Sequence, residues 1–75
     1  MTKLPVISGE EAIKVLNKAG FVFVRQKGSH VRMKRVTAER AINVTIPLHD
    51  VLDRGTLRSI IKAANLTVEG FVERL

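Results

Sequence analysis

The stretch Phe21–Val36, FVFVRQKGSHVRMKRV, decides the fold. Its first four residues are aromatic or β-branched, which suits a strand. Gly28-Ser29 supplies a two-residue type II′ turn, since glycine tolerates the positive φ of the first central position. Val31 to Val36 then reads as a second strand. This hairpin pairs Lys27 with His30 and Arg25 with Arg32, and directly paired residues share a face. Arg25, Lys27, His30, Arg32 and Lys34 therefore project from one side of the sheet. The same register sends Val22, Val24, Val31 and Met33 to the other side, toward a core. It also leaves Phe21 and Phe23 on the charged side. They can curl over the sheet edge into the core, offer a stacking surface for a base, or change sides through a bulge. Packing into the core is the favoured reading for both, because Phe21 directly follows a helix end.

Upstream, Ser8-Gly9-Glu10-Glu11 has the form of a capping box. Ala12, Ile13, Val15, Leu16 and Ala19 follow as an apolar stripe at helical spacing, and Gly20 ends the helix. Downstream, Thr37 to Arg40 reads as a loop. Ala41-Ile42-Asn43-Val44-Thr45-Ile46 alternates apolar with polar and stops at Pro47, giving a third strand with Ile42, Val44 and Ile46 on the core face. A second helix runs from about Gly55 to Ala64, with Leu57, Ile60, Ile61 and Ala64 on one side. Asp53 or Thr56 caps its start, and Asn65 closes its end in place of glycine. Thr67 caps a short terminal helix carrying Val68, Phe71, Val72 and Leu75.

The order is helix, three antiparallel strands, helix, short helix. A lone three-stranded sheet needs a cover over one face. The helices supply it and leave the other face open. The layout is α+β and resembles that of the double-stranded-RNA-binding domain, a likeness of fold that says nothing by itself about function.

Length and composition bound the rest. Seventy-five residues make one small domain, residues 1–75. A chain this short buries roughly 60% of its unfolded surface, so the core is modest. The absence of cysteine excludes disulfides and a cysteine-based zinc site. Two distant histidines and scattered acids do not make a zinc-ligand pattern either. The residues call for neither a metal nor a cofactor. No apolar run approaches the ~18 residues of a membrane span. The opening MTKLPVISGEE has no signal-peptide core. A cytoplasmic protein is the simple reading. Thirteen Lys and Arg against seven Asp and Glu give a net charge of +6, which favours encounters with polyanions. The segment Arg25 to Arg40 concentrates that charge, with Glu39 its only acid.

His30 stands at a strand start inside this run. It is either a surface polar residue of a hairpin or a proton-transfer group. Imidazole titrates near neutral pH, which suits the second role. Arg25, Lys27, Ser29, Arg32 and Lys34 are the candidate RNA contacts around it, although Ser29 also simply completes the turn. His49, in IPLHDV, is either structural or the second member of a histidine pair. Asp50 orients it or caps the next segment.

These pieces resemble the HicA, or YcfA-like, family of toxin ribonucleases. The matching segments are Leu4-Pro5 with Ser8-Gly9, Gly20-Phe21, Arg25-Gln26-Lys27-Gly28-Ser29-His30, Ile46-Pro47-Leu48-His49, and Gly55-Thr56-Leu57-Arg58-Ser59-Ile60. They span about residues 3 to 72 in the family's order. The resemblance implies a double-stranded-RNA-binding-domain-like fold and metal-independent cleavage of messenger RNA. It implies His30 as the catalytic residue, and a HicB-type antitoxin that covers the active site. The chain departs from the family pattern at Val31, Arg32 and Met33, where an aromatic or a further histidine is common. It departs again at Val36 to Arg40, where a short Asp-Gly turn is common. Two rival readings stand beside this one. One is a non-catalytic RNA-binding module using the same face, although Arg54-Gly55-Thr56-Leu57-Arg58 lacks the lysine cluster such a module carries there. The other is a protein-interaction domain serving an acidic partner.

Overall fold

The computed structural model describes residues 2–75. The chain runs α1 (Gly9–Lys18), β1 (Val22–Lys27), β2 (His30–Val36), β3 (Ala41–Pro47), α2 (Arg54–Ala63) and α3 (Val68–Glu73). The three strands form one antiparallel sheet in the order β1-β2-β3. Helix α1 begins in the capping box read from the sequence. The Ser8 hydroxyl accepts the Glu11 amide at 3.1 Å, and the Glu11 carboxylate accepts the Ser8 amide at 3.0 Å. Asp53 caps α2 and Thr67 caps α3. Asn65 leaves α2 at φ 59°, the left-handed position usually given to glycine.

The helices cover one face of the sheet. Val31, Met33, Ile42, Val44 and Ile46 point into the core from β2 and β3. Ala12, Val15, Leu16, Leu57, Ile60, Ile61 and Phe71 meet them from the helices. No polar or charged side chain is buried among the described residues. Full burial of an aliphatic or aromatic side chain contributes about 1.5–3 kcal/mol. In a chain without cysteine, Leu16, Phe21, Met33, Ile46, Leu57 and Phe71 carry that duty together.

Strand β1 departs from the regular hairpin. Lys27 faces His30 and Arg25 faces Arg32, as the two-residue turn requires. The register then shifts between Phe23 and Arg25, so that Phe23 faces Met33 and Val22 faces Lys34. Val24 is the extra residue of a β-bulge, and an extra residue inverts the side assignment of everything beyond it. Val22 thus joins the charged face instead of the core. Val22 and Val24 are 60% and 45% exposed. Phe23 shares the side of Met33, yet is 59% exposed, because α1 and α2 pack chiefly against β3 and β1 extends past their cover. Phe21 lies before the strand. Its amide bonds to the Leu16 carbonyl at 2.9 Å, and its ring is buried in the core.

One end of the sheet is tied to α1 through its first residue. The Gly9 amide donates to the His49 carbonyl at 2.9 Å. A Cβ at Gly9 would overlap the Pro47 carbonyl oxygen and press on the Leu48 backbone. Glycine is therefore required by close approach, here to the end of β3. Gly9→Ala should cost about 1–3 kcal/mol, the usual range for overpacking a close contact. Urea denaturation of the variant measures it, and an unchanged midpoint would show that the junction has slack.

Candidate active site

Directly opposed strand residues share a face, so the register defines what the uncovered side of the sheet presents. From β1 come Val22, Arg25 and Lys27. From β2 come His30, Arg32 and Lys34, and from β3 Asn43 and Thr45. The three strands contain five cations and no carboxylate. Arg35, the fifth cation, faces the helix side, where its stem lies against Gly20. The other four stand on the open face with the imidazole.

Arg25, Lys27, His30, Arg32 and Thr45 line a depression of about 150 Å³. The structure thus gathers four residues singled out in the sequence and adds Thr45. Thr45 opposes Arg32 across β2 and β3. The alternation of β3 already placed it opposite the core side; what the sequence lacked was the pairing of that strand with β2. Lys34 lies farther along the same face, between Val22 and Asn43, outside the depression. Ser29 is also outside it.

The turn that presents His30 is held from both sides. Gly28 sits at φ 59° and Ser29 outside the left-handed region, the pattern of a type II′ turn. The Ser29 carbonyl accepts the Leu48 amide at 2.6 Å, which fixes the turn to the chain leaving β3. The Gln26 side-chain amide donates to the Gly28 carbonyl at 3.0 Å. His30, the next residue, opposes Pro47. Its ring is exposed, and no carboxylate on any strand competes for the cations beside it.

His49 does not line the depression. Its backbone carbonyl holds α1, and its exposed side chain lies near Asp53. No cluster of three His, Cys, Asp or Glu side chains suited to a metal ion occurs among the described residues. Nor is any described helix long and apolar enough to cross a membrane.

A covered three-stranded antiparallel sheet flanked by α1 and α2, with its other face open, defines an α+β domain of the double-stranded-RNA-binding type. The family described as "HicA toxin of bacterial toxin-antitoxin" matches residues 9–66, and the chain belongs to it. Among solved structures, the chain is similar to a chain of a toxin–antitoxin complex from Streptococcus pneumoniae. The identity is 38% and the TM-score 0.64, covering 80% of this chain and 98% of that one. No curated protein gives a match.

The Asp53 carboxyl is held below its ordinary value of 3.8, first by the Thr56 amide and then by the Thr56 hydroxyl, with His49 adding a smaller attraction. The amide lies 2.7 Å from one carboxylate oxygen and the hydroxyl 3.0 Å from the other. A carboxyl lowered by folding stabilises the native state above its unfolded value, and that contribution disappears as pH falls through the folded value. Asp53→Asn should therefore be less stable than the parent at neutral pH, with the gap closing below about pH 4. Urea denaturation from pH 7 to 2 measures this; a gap independent of pH would show that the ionised cap contributes nothing.

Proposed function

We propose that this protein is an endoribonuclease toxin that cleaves messenger RNA in the cytoplasm without a metal ion, with His30 as its general acid or base. The observation that carries this reading is the placement of an exposed imidazole at the rim of a depression lined by Arg25, Lys27 and Arg32. Cations without carboxylate partners attract the RNA backbone. The same scarcity of carboxylates leaves the face without the oxygen donors that a divalent ion prefers.

In the reaction, a ribose 2′-oxygen attacks the adjacent phosphorus and the bond to the 5′-oxygen breaks. The products are a 2′,3′-cyclic phosphate and a 5′-hydroxyl. His30 takes the proton from the 2′-hydroxyl or delivers one to the leaving oxygen, and water completes the other transfer. Arg25, Lys27 and Arg32 oppose the charge that gathers on the phosphorane oxygens. Lys34 and the Ser29 hydroxyl contact the strand on either side. DNA, which lacks the 2′-hydroxyl, resists cleavage.

The partner is a HicB-type antitoxin that covers this face. Membership of the HicA family and likeness to a chain of a toxin–antitoxin complex both support it. An acidic surface on the antitoxin would meet the four open cations.

His30→Ala should lower the cleavage rate by about 10²–10⁴-fold, the usual range for general acid–base help. The variant should keep its fold and bind RNA through the unchanged cations. Incubation of a defined RNA with each protein in the presence of a chelator measures the rate. A folded variant that cleaves like the parent rules out the catalytic role. RNA binding without any cleavage by the parent favours a non-catalytic module.

A further inference from the structure

We propose that the groove between β3 and α2 holds the base of a nucleotide next to the cleaved phosphate and so sets where the RNA is cut, an inference that rests on the ribonuclease reading above. The groove is the larger neighbour of the His30 depression, with a volume of about 550 Å³. Thr45 lines both, so a strand crossing the cationic depression passes directly into it. Asn43, two residues from Thr45, stands on the same side of β3 and lines the groove with Thr56 and Ser59.

The two depressions differ in charge. The first is walled by Arg25, Lys27 and Arg32 and suits phosphate. The second has no cation in its lining; its one charged residue is Asp53. Asp53 also occupies the Thr56 amide in the first turn of α2, so the helix does not offer that donor to an anion. A phosphate is therefore disfavoured there. A neutral ring with donors and acceptors along its edge is favoured.

The groove is equipped to read such an edge. Asn43 carries an exposed amide with two donors and an acceptor. Thr45 and Ser59 add hydroxyls. Strand β3 has no neighbour on this side, so alternate backbone N–H and C=O groups of the edge point outward. An amide that pairs with a base edge through two hydrogen bonds discriminates against the wrong base by about 1–3 kcal/mol, or about 5- to 150-fold.

The test is the distribution of cuts. The full chain and its Asn43→Ala, Ser59→Ala and His30→Ala variants are incubated with one RNA of mixed sequence, and every new 5′ end is mapped. The preference of the parent for its favoured sequence should fall about tenfold in Asn43→Ala and less in Ser59→Ala. His30→Ala should lose cuts at all positions in proportion. Partial unfolding also lowers all cuts in proportion, so a changed ratio separates base reading from loss of structure. An unchanged ratio in both groove variants overturns this proposal while leaving the ribonuclease reading intact. If the ratio is unchanged and Asn43→Ala instead weakens the antitoxin complex, the groove receives a partner's strand and the proposal is overturned. If the parent makes no cuts, the ribonuclease reading fails and this one falls with it.

Discussion

Three backbone hydrogen bonds at one end of the sheet hold the rest of the arrangement in place. The Leu52 amide donates to the Ile7 carbonyl at 2.8 Å, Gly9 to His49 at 2.9 Å, and Leu48 to Ser29 at 2.6 Å. Together they clamp the connection after β3 between the start of α1 and the β1–β2 turn. Each contributes only about 0.5–1.5 kcal/mol net. Their value is geometric. They join the helical layer to the residue immediately before His30, so the imidazole starts from a backbone fixed on two sides. Gly9 permits the approach because anything larger would strike Pro47.

The second organising feature is the separation of charge. All seven acids lie in helices, caps or connections: Glu10 and Glu11 in α1, Glu39 before β3, Asp50 and Asp53 before α2, and Glu69 and Glu73 in α3. The strands hold none. Arg25 directly opposes Arg32, and like charges in that position destabilise a sheet. A fold selected for stability alone would place a carboxylate there. Local rules broken without a compensating partner mark functional surfaces. In the ribonuclease reading proposed above, the phosphates of a bound RNA strand would relieve this one.

Much of this was legible in the chain. The capping box at Ser8, the apolar stripes of α1 and α2, the turn at Gly28-Ser29 and the alternation of β3 are all short-range patterns, and each folds as its pattern dictates. The hairpin register near the turn follows from the turn type, which is enough to bring Arg25, Lys27, His30 and Arg32 onto one face. The bulge at Val24 was not legible. Phe-Val-Phe-Val is compatible with either phase, and what decides it is that β1 extends past the helices while Phe21 must enter the core. Thr45 and Asn43 were hidden for another reason. Their side of β3 was evident, but their neighbours depend on the pairing of β3 with β2 across the Thr37–Arg40 loop, where no tight turn sets the register. That loop is held by Thr37, whose hydroxyl donates to the Arg40 carbonyl at 2.9 Å.

Whether the uncovered sheet face around position 30 receives RNA can be read from a heteronuclear NMR titration. The ligand is an RNA oligonucleotide with 2′-O-methyl groups, which removes the attacking hydroxyl and keeps the complex intact. The largest shift changes are expected at Arg25, Lys27, His30, Arg32 and Thr45, with Glu10, Lys14 and Asn17 on α1 unmoved. Changes concentrated on α1 and α3, with the His30 and Arg32 signals stationary, would contradict binding at this face.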